Sequence, residues 1–211
     1  MNEKPDSLIF DMDGTLWDAL DVYVSSWNSG LREEQVERIV TAEEIGSMMG
    51  MDSSKVLNSI LPGYSTEEQY RIYETINRHR AQQVETLGGR LYDGVIDGIK
   101  KLSTKYQLFI VSNCPEGMIL LFMKWAGITD YIVDEMAYGF NNKPKHYNIQ
   151  HLIKKHKLKN PIYIGDTEGD RIESELAGVP FVFFSFGFGK TDKYHFRFDD
   201  FDSFTQHFMS L

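Results

Sequence analysis

The chain has 211 residues, of which 42% are hydrophobic and 25% are charged, and its formal net charge is −9. This length and composition fit one globular domain, or a core domain with a smaller inserted one, and exclude a collagen-like or wholly disordered chain. The acidic charge disfavours nucleic acid as a partner because phosphate would be repelled. No apolar run approaches the roughly 18 residues that a membrane span needs, so no membrane partner is expected either.

The N-terminus and the cysteine content favour a cytoplasmic location. Residues 1–6 lack the basic-then-apolar order of a signal peptide. Cys114 is the one cysteine in the sequence, so no intramolecular disulfide can form.

The first predicted element is a buried strand at 7–10, which stops at the acidic, glycine-containing segment 11–15. From 16 to 90 the pattern is helical, and no strand is expected there. Apolar residues recur at helical spacing from Leu20 to Val40, and further helices are expected at 53–60 and 67–86.

After residue 90, strands and helices alternate. Strands are expected at 107–111, 131–133, 161–164 and 180–184, the last of these being the final strand, and helices at 94–103, 115–125, 147–157 and 171–177. Nearly all-apolar strands that alternate with helices indicate a doubly wound α/β fold, whose parallel sheet is covered on both faces. The acidic segment 199–202 is typical of a solvated turn. We therefore expect an α/β core from 1–15 and 91–211, with the helical residues 16–90 inserted after the first strand.

Polar and acidic side chains follow several of the predicted strands. In parallel sheets, ligands bind beyond the carboxyl ends of the strands. Those ends carry Asp11 and Asp13, then Ser112 and Asn113, then Asp166 and Asp170. Taken singly, residues such as Ser112 and Asp166 are common helix caps. Several acidic groups at one sheet edge repel one another unless a cation holds them, and Mg²⁺ is the simplest hard ion with oxygen ligands.

These segments occur in the order of four motifs, namely Asp11-Met12-Asp13-Gly14-Thr15-Leu16, Val111-Ser112-Asn113, a lysine near Pro144, and Gly165-Asp166-Thr167-Glu168-Gly169-Asp170. Together they resemble the haloacid dehalogenase-like (HAD) hydrolases, in particular the branch of phosphoglycolate phosphatase and β-phosphoglucomutase. The resemblance implies a HAD-like core, with residues 16–90 in the place of the helical cap of this superfamily.

The resemblance also implies a role for each motif residue. Asp11 would be the nucleophile, which forms an aspartyl phosphate, and Asp13 the general acid and base. Mg²⁺ would be held by Asp11, Asp166 and the main-chain carbonyl of Asp13, with Asp170 as an auxiliary carboxylate. Ser112 and Asn113 would bind phosphate oxygens.

The phosphate-site lysine is left open between two residues. A Lys-Pro dipeptide is usual in many relatives and selects Lys143, whereas Lys145 would suit relatives with a shorter connection. Both residues are therefore candidates.

The function expected from these motifs is a magnesium-dependent phosphatase that acts on a small phosphorylated metabolite. A phosphoglucomutase-type transferase shares the same core motifs and stays open. A catalytically idle interaction protein with this fold would show a damaged motif, and none is damaged here. A haloacid dehalogenase is disfavoured because carbon–halogen displacement does not need Asp13. The oligomeric state is left open.

Aromatic and basic residues in 16–90 have a simpler structural interpretation. Trp17, Tyr23 and Trp27 lie at or near helical spacing, which is typical of a core stripe, although Trp17 closely follows the nucleophile segment. The basic residues from Arg78 to Arg80, with Arg71, are expected on an exposed helix face.

Overall fold

The fold is described from a computed structural model that covers residues 4–211. Residues 1–3 lie outside the described residues. They include the start of the expected core segment 1–15 and part of the segment 1–6 that was examined for a signal peptide. Within 4–211, no helix combines the length and the apolar character needed to cross a bilayer.

In the described chain, a helical stretch lies between the second and third β-strands, and β-strands and α-helices alternate after it. The strands are β1 (Ser7–Phe10), β2 (Trp17–Asp18), β3 (Arg90–Leu91), β4 (Gln107–Ser112), β5 (Asp134–Ala137), β6 (Pro161–Gly165), β7 (Phe181–Phe184) and β8 (Phe196–Phe198). The helices are α1 (Leu20–Glu33), α2 (Ala42–Ser47), α3 (Ser53–Ile60), α4 (Thr66–Thr86), α5 (Val95–Ser103), α6 (Met118–Ala126), α7 (Tyr138–Asn141), α8 (Lys145–His156), α9 (Glu168–Ala177) and α10 (Phe201–Ser210).

Six strands form one parallel sheet in the order β5-β4-β1-β6-β7-β8. Alternate residues of each strand face opposite layers of the core. On β1, Leu8 and Phe10 pack in the layer that includes residues of α5, α6 and α10, whereas Ile9 packs in the layer that includes residues of α8. The expected doubly wound α/β class is confirmed, and the carboxyl ends of β1, β4 and β6 meet at one edge of the sheet.

Helices α1 to α4 lie between β2 and β3, and residues 20–86 are called the helical insert below. The short strands β2 and β3 pair antiparallel, Trp17 with Leu91 and Asp18 with Arg90. The expectation of no strand in 16–90 is thus wrong at both ends of that range. Strands of two residues are too short to leave a sequence pattern.

The helical pattern expected through Val40 is also wrong beyond α1. The chain between Glu33 and Ala42 is irregular, and Gln35 has a positive φ of 56°. The Asn28 side chain accepts a hydrogen bond from the Val40 N–H (2.9 Å) and donates one to the Val40 carbonyl (3.0 Å). These two bonds replace the backbone partners that a helix would have supplied at Val40.

The sheet edges differ most from the expectation. The strand expected at 131–133 is wrong, because Tyr131 ends a 3₁₀ turn that starts at Thr129 and the pairing strand β5 begins only at Asp134. The strand at 180–184 is not the last, because β8 and α10 follow it, and the expected turn at 199–202 contains the N-cap of α10, Asp200. Edge strands keep polar side chains, so apolar runs mark them poorly.

Candidate active site

The carboxylate of Asp11 stands directly after β1 and is almost completely buried, with 1% of the residue exposed. Its Oδ2 atom lies 3.0 Å from Lys145 Nζ. Its Oδ1 atom is also buried and has no hydrogen-bond partner among the described residues. An acceptor left in this state is costly unless a ligand satisfies it.

Asp11, Asp166 and Asp170 form a buried acidic cluster, in which one carboxylate oxygen of each lies within 4.8 Å of the others. Burial raises the pKa of Asp11 to about 7, and the nearby Asp170 carboxylate adds to the rise while Lys145 opposes it. Burial, then Asp170 and Asp11, raise the pKa of Asp166 as well. Asp11 and Asp166 therefore hold protons more tightly than isolated carboxylates do.

Asp166 is fixed in place by close packing and by two donors. The Phe188 N–H donates to Asp166 Oδ2 (2.7 Å), and the Thr15 hydroxyl donates to Oδ1 (3.3 Å). A Cβ atom at Gly14 would lie 2.2 Å from Asp166 Oδ2, and one at Gly187 would lie 2.4 Å from the same oxygen. Glycine is required at both positions for the Asp166 carboxylate to reach the cluster.

The structure separates the two candidate lysines. The side chain of Lys145, at the start of α8, is 2% exposed, and its Nζ contacts Asp170 Oδ1 (2.5 Å) and Asp11 Oδ2. Lys143 is exposed, and its Nζ lies near the ring of Tyr147, 5.9 Å from the centroid. Two neighbouring carboxylates raise the pKa of Lys145 despite its burial, so the ammonium stays charged. Lys145 is therefore the lysine at the cluster.

Asp170 is held by the first turn of α9. Thr167 caps this helix: its hydroxyl accepts from the Asp170 N–H (3.0 Å) and donates to Asp170 Oδ2 (2.7 Å). The same Oδ2 accepts from the backbone N–H groups of Asp166 and Thr167. With its Oδ1 bound to Lys145, Asp170 has both oxygens engaged, which suits a group that orients others.

Asp13 points away from the acidic cluster and towards the helical insert. Its Oδ1 accepts from the Trp17 indole N–H (2.9 Å), and the Tyr23 hydroxyl lies 2.8 and 2.9 Å from its two oxygens. Burial raises the pKa of Asp13 to about 6, although both donors lower it. The geometry thus places the two aspartates of the first motif in different surroundings.

The end of β4 contributes Ser112 and Asn113. Ser112 is buried, and Asn113 is partly buried with its Nδ2 donating to the Gly50 carbonyl (2.8 Å) of the helical insert. Both line a cavity of about 70 Å³ together with Asp11 and Asp13. This volume has room for about five water molecules, at roughly 10–15 Å³ each.

Three side chains of this region do more than the sequence pattern indicated. Trp17 and Tyr23, whose spacing is typical of a core stripe, donate to Asp13. Arg80, expected on an exposed face, is 4% exposed and lines the cavity. The expectation holds for Arg71 and Arg78, whose side chains are 60% and 62% exposed. The position of Trp17 just after the first motif was the one signal in the sequence.

The donor set of the cluster fits a hard divalent cation. The clustered carboxylate oxygens are the ligand type that Mg²⁺ prefers, and the unpartnered Oδ1 of Asp11 is a free acceptor at the right place. A cation would also offset the burial and the mutual repulsion that raise the pKa values of Asp11 and Asp166. Cys114, also buried at this edge, has its pKa raised by burial and so is not a thiolate.

Comparison with known proteins agrees with this geometry. The family model of the haloacid dehalogenase-like hydrolases matches residues 8–184. The chain belongs to this family. The matched range contains the acidic cluster, Asp13 and Lys145, whereas β8 and α10 lie beyond it.

Relatives of this HAD-like hydrolase carry two names. It is 27% identical over 192 residues to a phosphoglycolate phosphatase of Rhodobacter capsulatus, covering 88% of this chain and 86% of the relative. It is 28% identical over 191 residues to the pyrophosphatase PpaX of Listeria innocua, covering 85% of each. A solved structure of a predicted phosphoglycolate phosphatase from Haemophilus somnus superposes with a TM-score of 0.85 at 19% identity, covering 98% of this chain and 99% of that one, which shows the shared fold.

Proposed function

We propose that this HAD-like hydrolase is a magnesium-dependent phosphatase, which hydrolyses a small phosphorylated metabolite through a phosphorylated Asp11. The observation that carries the proposal is the Asp11 carboxylate, which is buried at the strand end, has one oxygen without a partner among the described residues, and belongs to a residue that lines a small cavity. The intact set of motif residues supports an enzyme over an idle interaction protein.

The chemistry divides between the two aspartates. The Asp11 carboxylate attacks phosphorus, and the bond from phosphorus to the leaving oxygen breaks. Asp13 gives its proton to that oxygen and then removes a proton from the water that hydrolyses the aspartyl phosphate. The raised pKa of Asp13, about 6, leaves roughly a tenth of this group protonated at pH 7, compared with less than about one in a thousand at the ordinary pKa of 3.8. Its contacts with Trp17 and Tyr23 fix the direction of the carboxyl group.

Asp11, Asp166 and the main-chain carbonyl of Asp13 would hold Mg²⁺. When bound, the ion shields the carboxylates from the anionic phosphoryl group and stabilises charge that develops on it. Asp170 orients Lys145. The phosphate oxygens are bound by three donors, namely Lys145, Ser112 and the main-chain N–H of Asn113.

Residues 16–90 would act as a cap domain on a core domain of 1–15 and 91–211. The bond from Asn113 to the Gly50 carbonyl and the lining of the cavity by both parts support this division. A cap over the sheet edge excludes bulk water and limits substrates to small ones. We propose a cytoplasmic location for this activity.

The test is hydrolysis of an aryl phosphate with added Mg²⁺. D11N is expected to lower kcat by at least about 1,000-fold, because the nucleophile is lost, while thermal melting shows a folded protein. D97N, at an exposed position on α5, is the matched control and should keep full activity. Removal of the metal by a chelator should stop turnover. Unchanged turnover by D11N, or full activity with the chelator, would refute the proposal.

The lysine assignment has its own test. K145A is expected to reduce kcat by roughly 100-fold or more, because a buried charge on the phosphoryl oxygens is lost. K143A removes an exposed ammonium two residues away and should stay within about twofold of the wild type. The reverse result would move the phosphate site to Lys143.

A screen of phosphoglycolate, pyrophosphate, sugar phosphates and nucleotides would then rank the substrates and detect a mutase-type preference.

A further inference from the structure

Arg80 differs from the other arginines of α4 in its surroundings. Arg71 and Arg78 are exposed and form ion pairs with Glu34 and Glu33. Arg80 is 4% exposed and makes no ion pair with a carboxylate among the described residues. It lines the same cavity as Asp11, Ser112 and Asn113.

The contacts of Arg80 leave part of its guanidinium unsatisfied. Nη1 donates to the Asn77 side chain (2.9 Å), and the planar group lies over the rings of Tyr23 and Tyr73, 4.7 and 5.6 Å from their centroids. The buried Nε has no hydrogen-bond partner among residues 4–211. The charge of Asp13 acts on the guanidinium through space, but the two groups form no ion pair, so a bound anion would supply the direct contact that Arg80 lacks.

The distance from Arg80 to the reacting groups is short. Tyr23 lies under the guanidinium and, through its hydroxyl, contacts the Asp13 carboxylate that would protonate the leaving oxygen. One tyrosine side chain therefore links the cation to Asp13. Because Arg80, Asp11 and Asp13 line the same cavity of about 70 Å³, a group that meets Arg80 from this cavity would belong to the same small substrate as the phosphoryl group.

We propose that Arg80 binds a second oxyanion of the substrate, so that this enzyme selects short phosphorylated compounds with an anionic group at the other end. This inference rests on the proposed phosphatase function. A planar guanidinium pairs well with either a carboxylate or a phosphoryl group. The enzyme would accordingly disfavour an ester of the same length whose other end is uncharged.

The experiment compares kcat/KM for phosphoglycolate, for pyrophosphate and for 2-hydroxyethyl phosphate, whose far end is a neutral hydroxyl. The wild type is expected to prefer phosphoglycolate or pyrophosphate over the neutral ester by at least about tenfold, as one charged hydrogen-bonding contact would give. The arm whose ratio R80M lowers more identifies the oxyanion as carboxylate or phosphoryl, because pyrophosphate also has a better leaving group than the two esters. R80M keeps the aliphatic stem and should lower that ratio by roughly 10- to 100-fold, mainly through KM. R78M, on the same helix, should leave the ratio unchanged.

Equal kcat/KM for charged and neutral substrates in the wild type would overturn the inference, and this measurement needs no variant. A ratio that R80M leaves unchanged would overturn it as well. If R80M does not fold, R80K, which keeps the charge, should retain more of the wild-type ratio than R80Q, and equal ratios in the two would count against Arg80. Hydrolysis of an aryl phosphate is measured in the same preparation. If it proceeds, a negative result concerns Arg80 alone. If it does not, the proposed phosphatase function fails, and this inference fails with it.

Discussion

Gly14 packs against Asp166 with no space for a side chain. Its φ is +79°, in the left-handed region that glycine adopts readily, and a Cβ atom there would lie 2.2 Å from Asp166 Oδ2. Gly117 has the same φ of +79°, but nothing lies within 4 Å of the position of its Cβ. The two glycines therefore share a backbone conformation that would strain an alanine, and they differ in the contacts that a side chain would make.

We predict that G14A abolishes activity and metal binding, because the added methyl group displaces the Asp166 carboxylate. G117A should be destabilised by about 1 kcal/mol through backbone strain alone and should keep its activity. Calorimetric titration with Mg²⁺ and the aryl phosphate assay measure both effects. Mg²⁺ binding by G14A as tight as that of the wild type would contradict the placement of Asp166 at the metal site.

At the residue scale, the sequence predicts the position of side chains at strand ends better than the position of side chains on helices. Asp11 and Asp166 follow apolar strands of a parallel sheet, so topology alone brings them to one edge. Arg80 lies in a run of basic residues, but it also continues the four-residue spacing of the buried apolar residues of α4. The charges around it conceal that signal. Lys143 and Lys145 differ only in which side of Pro144 they occupy, and α8, which begins at Lys145, decides which one turns inward.

At the scale of elements, two helices begin with the same reciprocal cap. In α9, Thr167 and Asp170 form a capping box beside the acidic cluster, and in α4, Ser65 and Glu68 form one at an exposed helix start. Each box satisfies backbone donors of the first turn. Only the box of α9 also holds a carboxylate that binds Lys145.

T167A and S65A should each lower the free energy of unfolding by about 1 kcal/mol, because each removes a helix cap. T167A should in addition lower kcat by about tenfold, since Asp170 and Lys145 lose their fixed orientation. Urea unfolding and steady-state kinetics on the pair separate the two effects. Equal kcat values for T167A and S65A would show that the cap of α9 does not position the lysine.

The elements in the interior of the sheet follow from the sequence, and those at its edges do not. Strand β1 is buried on both faces and appears as an uninterrupted apolar run. Strand β5 carries Asp134 and Glu135, and β8 has an exposed arginine between two phenylalanines. An edge strand has one paired side, so its residue pattern depends on neighbours that the local sequence does not reveal.

For the whole molecule, the buried carboxyl groups link stability to pH and to metal. In the metal-free protein, burial raises the pKa of Asp13 to about 6 and that of Asp11 to about 7, above the ordinary value of 3.8. Groups with a raised folded-state pKa stabilise the protein below their unfolded pKa, and this contribution is lost as the pH rises through the folded pKa. The metal-free protein should therefore lose stability from these groups between about pH 4 and pH 7.

Mg²⁺ should offset that loss, and its effect should grow with pH because the ion must displace protons at low pH. We expect the rise in Tm on adding saturating Mg²⁺ to be larger at pH 7.5 than at pH 5 by about 5 °C or more. Thermal melts with and without Mg²⁺ at both pH values measure it. D166N should show little Mg²⁺ effect at either pH, and an equal rise for the wild type at both would argue against a proton-linked metal site.

The paired strands β2 and β3 determine how the helical insert can vary in length. Because Trp17 pairs with Leu91 and Asp18 with Arg90, the chain leaves the sheet edge and returns to it at almost the same point, about 5 Å apart. The intervening excursion can thus grow, shrink or be exchanged without altering the register of the strands that carry Asp11 and Asp166. Trp17 lies within this ribbon and donates to Asp13 from it, so the ribbon couples any such replacement to Asp13, the proposed proton donor.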